Sequence, residues 1–397
     1  MMMSALRFVA LAPTVVCGSL KRPSIAMSMA RAGGTGVLDL EFIDWRRDGE
    51  ALSQSLALLE KALPGGSFGI RLVQTDLSHC LSIIEATAKR QNFMLIICLR
   101  EGSYDAACLA TDISLAKQAG LSVAVEVISV EEARLAKDAL ADILIAKGSE
   151  SGGRVSDTTT FVLVQQLLKN LDCPVYARGG IGRHTLRALV AAGVKGVVLD
   201  CQLYLASDSL VADRYKRVFE TMDGVETTLI ALSPGQSYRV YTSKINANKS
   251  ISLSDLTSRL QRQVADVLDF LPIGQDASFA SSLAGVGVSV AGIVDLLRGS
   301  QEEVLDDGNV DVLAKGAPLA VSHSTEFPIV QGAMTRVSDN ADFAFAVAQS
   351  GALPFLALSL MRKDDVEKLL STTREKMGTK SWGVGILGFA PSQLRQE

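Results

Sequence analysis

The sequence predicts a parallel (β/α)8 barrel, a TIM barrel, followed by part of a second one. Three observations predict it: eight short apolar runs alternate with helical patterns over residues 6–205, two late strands end in paired glycines, and the start of the chain is repeated near residue 350. Strands that are apolar along their whole length are buried on both faces, as in a parallel sheet covered by helices. Eight such units close more naturally into a barrel than into an open sheet.

The predicted barrel occupies residues 1–225, with one strand about every 25 residues. The strands are Arg7–Ala12, Gly36–Phe42, Phe68–Val73, Phe93–Leu99, Ser122–Ile128, Asp142–Ala146, Pro174–Ala177 and Gly196–Leu199. The helices are Ser24–Ala32, Glu50–Ala62, His79–Lys89, Tyr104–Ala119, Val130–Ala139, Thr159–Asn170 and His184–Ala192, with a last one from Ser207 through Phe219.

Residues 226–320 break this alternation and are predicted to form a helical connector. Leu256, Leu260, Val264 and Leu268 recur at helical spacing between residues 253 and 270. Two shorter helical patterns follow, at 277–283 and 289–298. The apolar face of these segments indicates a packed connector and not a disordered linker.

Residues 321–397 repeat the beginning of the chain. Met29–Leu40 lines up with Val347–Leu358, and Ser67–Ile70 lines up with Ser381–Val384. Two matches at nearly the same offset indicate duplication of a whole domain. Since only three strands of the second copy are present, and three parallel strands leave an unpaired edge, we expect a truncated second barrel and a larger multidomain protein.

The composition is that of a soluble α/β protein, with 48% hydrophobic and 21% charged residues among 397. A net charge of −4 and the absence of a basic block argue against nucleic-acid binding. No run approaches the roughly 20 apolar residues of a membrane span. Six scattered cysteines without a CxxC pair indicate reduced thiols in a cytoplasmic protein, and no metal-ligand pattern is present.

The two glycine pairs predict a phosphate site. One lies in residues 147–154 and the other in residues 177–182, each between a strand and a helix. Glycines let backbone N–H groups approach an anion closely, and a helix N-terminus adds its dipole. TIM barrels bind phosphates after their last strands. The simplest ligand is flavin mononucleotide, FMN; an aldolase-like or phosphosugar-binding barrel would use the same turns.

Four segments resemble the nitronate monooxygenase (2-nitropropane dioxygenase) family of FMN-dependent TIM barrels, which includes flavin-dependent enoyl-ACP reductases. Phe327–Met334 resembles its opening strand, Pro-Ile-x-x-x-Pro-Met, and Ala32–Gly36 resembles its Ala-Gly-Gly-x-Gly turn. Gly148–Arg154 and Pro174–Ile181 resemble its Gly-x-Glu-Ala-Gly-Gly-His and Pro-Val-x-Ala-x-Gly-Gly-Ile segments. The resemblance spans about residues 7–205 and 325–390.

This resemblance implies a cofactor site and two residues at the reacting centre, Lys147 beside the flavin face and Arg154 in place of the family's histidine base. The implied FMN-binding residues are Gly152, Gly153, Gly179, Gly180, Ile181, Asp200, Cys201 and Gln202. Arginine cannot accept a proton near neutral pH. Nitronate oxidation by this barrel is therefore not expected, whereas enoyl reduction through a flavin does not require that base.

Charged residues also stand at three other strand ends: Asp39, Arg71 and Glu126. If the register places them inward, they face the mouth of the barrel, but a slip of one residue would turn them away. Glu150 is expected to be a helix-cap or loop carboxylate and not a catalytic acid.

The predicted function is an FMN-dependent oxidoreductase. Its expected form is enoyl reduction of small or carrier-bound acyl substrates, beside further domains of a polyketide or fatty-acid synthase. The alternative is a catalytically degenerate barrel that serves as a structural or docking module in such a multienzyme. The departures at Arg154 and Arg71, and an opening strand that reads Ala12-Pro13-Thr14 without the methionine, favour this alternative.

Overall fold

The computed structural model describes residues 6–13, 23–42, 45–73, 77, 83, 92–99, 105–233, 236–242, 252, 255, 258, 270–285, 287–306, 312–359 and 361–386. The chain divides into two compact units, Met1–Val304 and Leu305–Glu397. The first is the predicted barrel with its connector, and the second is the repeated segment.

The first unit is a closed parallel barrel of eight strands in the order β1-β2-β3-β4-β5-β6-β8-β9. These are β1 Arg7–Pro13, β2 Thr35–Asp39, β3 Ser67–Val73, β4 Phe93–Cys98, β5 Ser122–Val127, β6 Ile143–Lys147, β8 Val175–Arg178 and β9 Gly196–Leu199. All eight predicted strands are confirmed, within a few residues at their ends. The described helices around them are α1 Ser24–Arg31, α2 Trp45–Ala62, α3 Ala106–Gln118, α4 Val130–Asp138, α5 Thr160–Asn170, α6 Arg183–Ala192 and α7 Asp213–Phe219. The predicted helix at 79–89 lies outside the described residues, apart from residue 83.

Local chemistry sets where several helices begin and end. The Asp105 carboxylate accepts the Cys108 N–H at 3.0 Å and caps α3, and the Ser129 hydroxyl accepts the Glu132 N–H at 3.2 Å and caps α4. Helix α6 ends at Gly193, whose φ of 109° is a left-handed conformation that glycine adopts without strain.

The barrel interior is apolar toward the amino ends of the strands and charged at their carboxyl ends. Inward-facing residues alternate along each strand, and a separate apolar cluster fills the lower part: Val9, Leu11, Val37, Met94, Ile96, Ala124, Ile145, Tyr176 and Val198. The next inward position, two residues on, is polar in seven strands or their ends: Asp39, Arg71, Cys98, Glu126, Lys147, Arg178 and Asp200. This polar layer closes the mouth at the carboxyl ends of the strands.

The predicted helical connector at 226–320 is corrected by the structure. Its first part is an antiparallel hairpin of β10 Thr227–Ser233 and β11 Gln236–Tyr241, and β11 also pairs with β7 Gly153–Ser156. Threonines and aromatic residues favour strands there. A 3₁₀ turn Gln275–Ser278 leads into α8 Phe279–Ala284 and α9 Val290–Asp306, which agree with the two shorter predicted helices. Most of the helix predicted at 253–270 lies outside the described residues.

The described part of the second unit repeats the first three strands of the barrel and the two helices between them. After α10 Pro318–Ser322, it contains β12 Val330–Gln331, α11 Ala341–Gln349, β13 Leu353–Ala357, α12 Lys363–Met377 and β14 Gly383–Gly385. Its strands are parallel in the order β12-β13-β14.

The strand registers of the two copies agree. Val37 pairs with Gly69 in the first copy, and Phe355 pairs with Gly383 in the second, at the offsets that the sequence repeat predicts. The duplication is therefore preserved at the level of individual backbone pairs.

Within the described residues, no helix is both long and apolar enough to cross a membrane.

Candidate functional site

The mouth of the barrel is sealed by a network of buried ion pairs around Glu126. From β3, Arg71 donates from Nη2 to Glu126 Oε1 at 2.8 Å and from Nε to Oε2 at 3.2 Å. Lys147 Nζ, from β6, lies 3.2 Å from Oε1, and Arg178 Nη1, from β8, contacts Oε2. Glu126 thus holds one cation from each of three strands, and it is 6% exposed.

Further carboxylates complete the pairing of these cations. Arg71 Nη1 donates to Asp39 Oδ1 at 2.8 Å and to Glu41 Oε2 at 2.7 Å. Arg178 donates from Nη2 to Asp200 Oδ2 at 2.9 Å. With four carboxylates and three cations, every formal charge of this network has an opposite charge in contact.

The pKa values reflect this pairing. Burial alone would raise the pKa of Glu126, but Arg178, Arg71 and Lys147 together hold it well below its ordinary range. Burial lowers the pKa of Lys147 from its ordinary value, against the opposing attraction of Glu126. Glu126 is therefore ionised and ion-paired with three cations. These ion pairs lower its affinity for a proton, which makes it a poor general base.

The hairpin that follows the barrel covers this network. Tyr238, on β11, donates its hydroxyl to Glu41 Oε1 at 3.0 Å and is 3% exposed. Arg239 Nε donates to the Ser149 carbonyl at 2.6 Å, in the first glycine turn. The hairpin is thus tied both to the ion network and to a predicted phosphate-binding loop.

The structure places Arg154 away from the mouth. It lies on β7, and its Nη1 and Nη2 donate to Glu132 Oε1 at 3.0 and 2.6 Å. Glu132, on α4, is fully buried, and its Oε2 accepts the Ile128 N–H at 2.9 Å. Arg154 therefore neutralises a buried carboxylate.

Glu150 is a helix cap, as the sequence predicts. Its Oε2 accepts both the backbone N–H and the hydroxyl of Thr160 at 3.0 Å, at the start of α5.

The second glycine turn already contacts a carboxylate of its own chain. Gly179 and Gly180 have φ values of 109° and 65°, which aim the Gly180 N–H outward. That N–H donates to Asp276 Oδ2 at 3.2 Å, from the 3₁₀ turn after the hairpin. The site that the sequence assigns to a ligand phosphate is thus in contact with a side chain 96 residues away.

The remaining predicted cofactor residues belong to the same closed cluster. Asp200 Oδ1 accepts the Cys201 N–H at 2.6 Å, and Gln202 Oε1 accepts the Asp200 N–H at 2.9 Å. The side chain of Ile181 is fully buried. Burial, then Asp200 and Asp276, raise the pKa of Cys201 well above its ordinary value, so this thiol is not an activated nucleophile.

The first glycine turn is covered by backbone. A Cβ on Gly152 would overlap the carbonyl of Pro272. Gly153 starts β7, and its pairing with Arg239 directs that loop toward the hairpin.

The residues present do not fit a flavin phosphate in this arrangement. The Gly180 N–H donates to the Asp276 carboxylate and the Gly182 N–H to the Thr185 hydroxyl, and the cavity beside the second turn has a volume of about 230 Å³. Its charged lining residues are Glu150, Asp223 and Asp276, which would repel an added dianion. Known small-molecule sites are usually larger, roughly 300–1,000 Å³.

Sequence reasoning found Asp39, Arg71, Glu126 and Lys147 but missed Arg178. The signal for Arg178 was available, because it stands beside Lys147 on the neighbouring strand at an inward position. Sequence reasoning also missed Asp276, Glu41 and Tyr238. These residues lie in loops and in the hairpin, and no local sequence pattern predicts that they contact the site.

Comparison with known proteins identifies the type of barrel. Residues 107–265 match the family model of nitronate monooxygenase, so the match includes both glycine turns. This part of the chain, which includes the later strands of the first barrel, is therefore similar to nitronate monooxygenase.

Two curated relatives are similar to parts of this chain. A (3aS,4S,5R,7aS)-5-hydroxy-7a-methyl-1-oxo-octahydro-1H-indene-4-carboxyl-CoA dehydrogenase of Rhodococcus jostii is 27% identical over 225 residues, covering 56% of this chain and 60% of the relative. A probable nitronate monooxygenase of Staphylococcus saprophyticus is 31% identical over 124 residues, covering 28% of this chain and 35% of the relative. The matches thus span less than two thirds of either relative.

Solved structures confirm the fold. FabK from Thermotoga maritima has a TM-score of 0.62 at 20% identity, covering 75% of this chain and 93% of that one. Nitroalkane oxidase from Streptomyces ansochromogenes has a TM-score of 0.59 at 20% identity, covering 75% and 96%. At these identities the likeness establishes the architecture alone. The two curated relatives are named as a dehydrogenase and a probable nitronate monooxygenase.

Proposed function

We propose that the chain is part of a nitronate monooxygenase-type oxidoreductase in which the first barrel is a structural and docking module and not a flavin site. The family match and the named relatives support the oxidoreductase class. The observation that carries the role of the first barrel is its mouth, which this chain's own charged side chains fill.

Disrupting the ion-pair network around Glu126 would cost free energy. Removing one partner from a buried ion pair leaves an uncompensated charge and costs about 3–5 kcal/mol. A flat ring entering this layer would have to displace Arg71, Lys147 or Arg178 from Glu126, none of which is more than 5% exposed. Any ligand would have to recover that loss by its own contacts.

The second copy lacks the three charges at the corresponding positions. By strand register and offset, Asp39 corresponds to Ala357 and Arg71 to Gly385. Glu41 corresponds to Ser359 by the same offset. The second copy also carries the family's opening strand, which ends in Met334. These differences support a division of labour in which the second copy, and not the first, contributes to flavin binding.

A second candidate function is flavin-dependent enoyl reduction within the first barrel itself. The family match over residues 107–265 favours it, because it includes both glycine turns. For a flavin to bind there, the hydrogen bond between Gly180 and Asp276 would have to break. The cations paired with Glu126 would also have to form other ion pairs. Carrier-bound acyl substrates and a synthase context remain part of this proposal.

The experiment is to purify the full chain, record its visible spectrum and identify any chromophore released on denaturation. FMN is then titrated into wild type and into a Gly180→Asp variant, with far-UV circular dichroism as the folding control. We expect no flavin that depends on Gly180. Stoichiometric FMN in the wild type that is lost in Gly180→Asp would refute the structural role, and assays with nitronates and enoyl thioesters would then assign the reaction.

A further inference from the structure

We propose that Asp276 is a built-in occupant of the anion site at Gly179-Gly180, and that the segment Phe270–Ser278 is an internal latch over both glycine turns. The inference deepens the proposed function, since it names the group that takes the place of a ligand phosphate in the first barrel.

The Asp276 carboxylate makes the contacts that an anion would make. Oδ2 accepts the Gly180 N–H at 3.2 Å and the Gln202 side-chain amide at 3.0 Å. Oδ1 accepts the Cys201 thiol at 3.3 Å. Donors from two successive strand ends thus converge on one carboxylate, which is 2% exposed.

The backbone of the segment is seated on the first glycine turn. Gln275 N–H donates to the Glu150 carbonyl at 2.8 Å. A Cβ on Gly274 would overlap that same carbonyl and would lie 2.7 Å from the Gly152 nitrogen. Only glycine allows so close an approach, so residue 274 is a requirement for the latched position.

The latch is also fastened at its other end. Phe270 N–H donates to the Tyr241 carbonyl at 2.7 Å, and Tyr241 N–H donates to the Leu271 carbonyl at 2.8 Å. The hairpin that covers the ion network is therefore hydrogen-bonded to the segment that covers the glycine turns.

The acidic surroundings of Asp276 disfavour the binding of a second anion beside it. Asp200 and the Cys201 thiol face it from the end of β9, and Arg178 is the nearby cation, already bound to Asp200 and Glu126. Glu150 lies on the adjoining side of the same cavity. Burial and then Asp200 raise the pKa of Asp276 to about 7, as expected for a carboxyl group held among other acids. An exogenous phosphate can use these donors only after Asp276 has left.

Two variants of the full chain release the latch by different means. Asp276→Ala removes the carboxylate. Gly274→Ala keeps every side chain of the anion site, but its Cβ would overlap the Glu150 carbonyl and Asp276 Oδ1, so that the segment must move off the first turn. Asp223→Ala is the matched control, because it removes an acid from the same cavity without vacating Gly180. Gly299→Ala controls for a glycine change, since a Cβ there meets nothing within 4 Å.

Binding of inorganic phosphate is measured by titration calorimetry at pH 8. We expect phosphate to bind Asp276→Ala and Gly274→Ala at least about tenfold more tightly than wild type, Asp223→Ala or Gly299→Ala. Alkylation of Cys201 by iodoacetamide, located by peptide mass, should accelerate in the two latch variants and slow again when phosphate is added.

Equal phosphate affinity in wild type and both latch variants would overturn the latch. Faster alkylation of Cys201 without any gain in phosphate binding would overturn it equally, since the donors would then be exposed without forming an anion site. These outcomes are distinct from the outcome that would refute the proposed function. The proposed function is refuted if wild-type protein binds FMN and the Gly180→Asp variant does not.

Discussion

Replacing Glu126 with glutamine tests whether the mouth of the barrel is sealed. The carboxylate contacts Arg71, Lys147 and Arg178, all buried, and glutamine keeps its shape while removing the charge. Losing one partner of a buried pair costs about 3–5 kcal/mol, and each 1 kcal/mol moves Tm by roughly 2–4 °C in a domain of this size. We therefore expect a fall in Tm on the order of 10 °C.

The assay is thermal unfolding followed by circular dichroism at pH 7.5. Glu220→Gln is the control, because Glu220 is exposed at the end of α7 and its loss should change stability by less than about 0.5 kcal/mol. Adding Lys147→Met to Glu126→Gln should restore at least about 1 kcal/mol relative to the sum of the two single changes, since the pair is then removed together.

The effect should also depend on pH in a defined direction. The folded pKa of Glu126 lies well below its ordinary value of 4.5, so its stabilisation is complete above pH 4.5 and is lost as the pH falls toward the folded value. The difference between wild type and variant should shrink in acid. A Tm for Glu126→Gln equal to that of Glu220→Gln at pH 7.5 would mean a solvated, open mouth, and the sealed-mouth argument would be refuted.

Three further predictions concern neighbouring groups. The folded pKa of Asp276, about 7, lies above its ordinary 3.8, so its contribution to stability should fall as pH rises from about 4 to 7, by up to roughly 4 kcal/mol; urea unfolding should show this loss in wild type and not in Asp276→Asn. Arg154→Met should destabilise by about 3 kcal/mol, because buried Glu132 loses its cation, and a change below 0.5 kcal/mol in urea unfolding would contradict that role. Glu150→Ala should cost about 0.5–2 kcal/mol through loss of the α5 cap, whereas Glu150→Gln, which keeps an acceptor, should cost less; equal losses in thermal unfolding would show that the cap is not the cause.

Much of the architecture was predictable because it depends on short-range patterns. Apolar runs such as Phe93–Cys98 are buried along their whole length, and this marks a strand inside a closed parallel barrel. The sequence repeat likewise predicted the second unit, and the backbone pair of Phe355 with Gly383 agrees with the aligned segments. The hairpin at 227–241 was missed because a connector rich in helical patterns follows it.

The positions of the candidate site residues were likewise predictable from the sequence, whereas their role was not. Inward alternation along each strand, which the sequence contains, places Asp39, Arg71, Glu126 and Lys147 in one layer. What these residues do there was not predictable from type and spacing, since a charged mouth can equally well receive a ligand or close on itself.

The sequence by itself determined the order of strands and helices, the duplication and the positions of the glycine turns, because each depends on residues close together in the chain. Only the tertiary structure decided that the mouth is closed. The contacts responsible join Glu126 to Arg178, Gly180 to Asp276 and Glu41 to Tyr238, across 52, 96 and 197 residues of chain. Which distant donor meets which acceptor depends on how the barrel and its hairpin pack, and no local pattern carries that information.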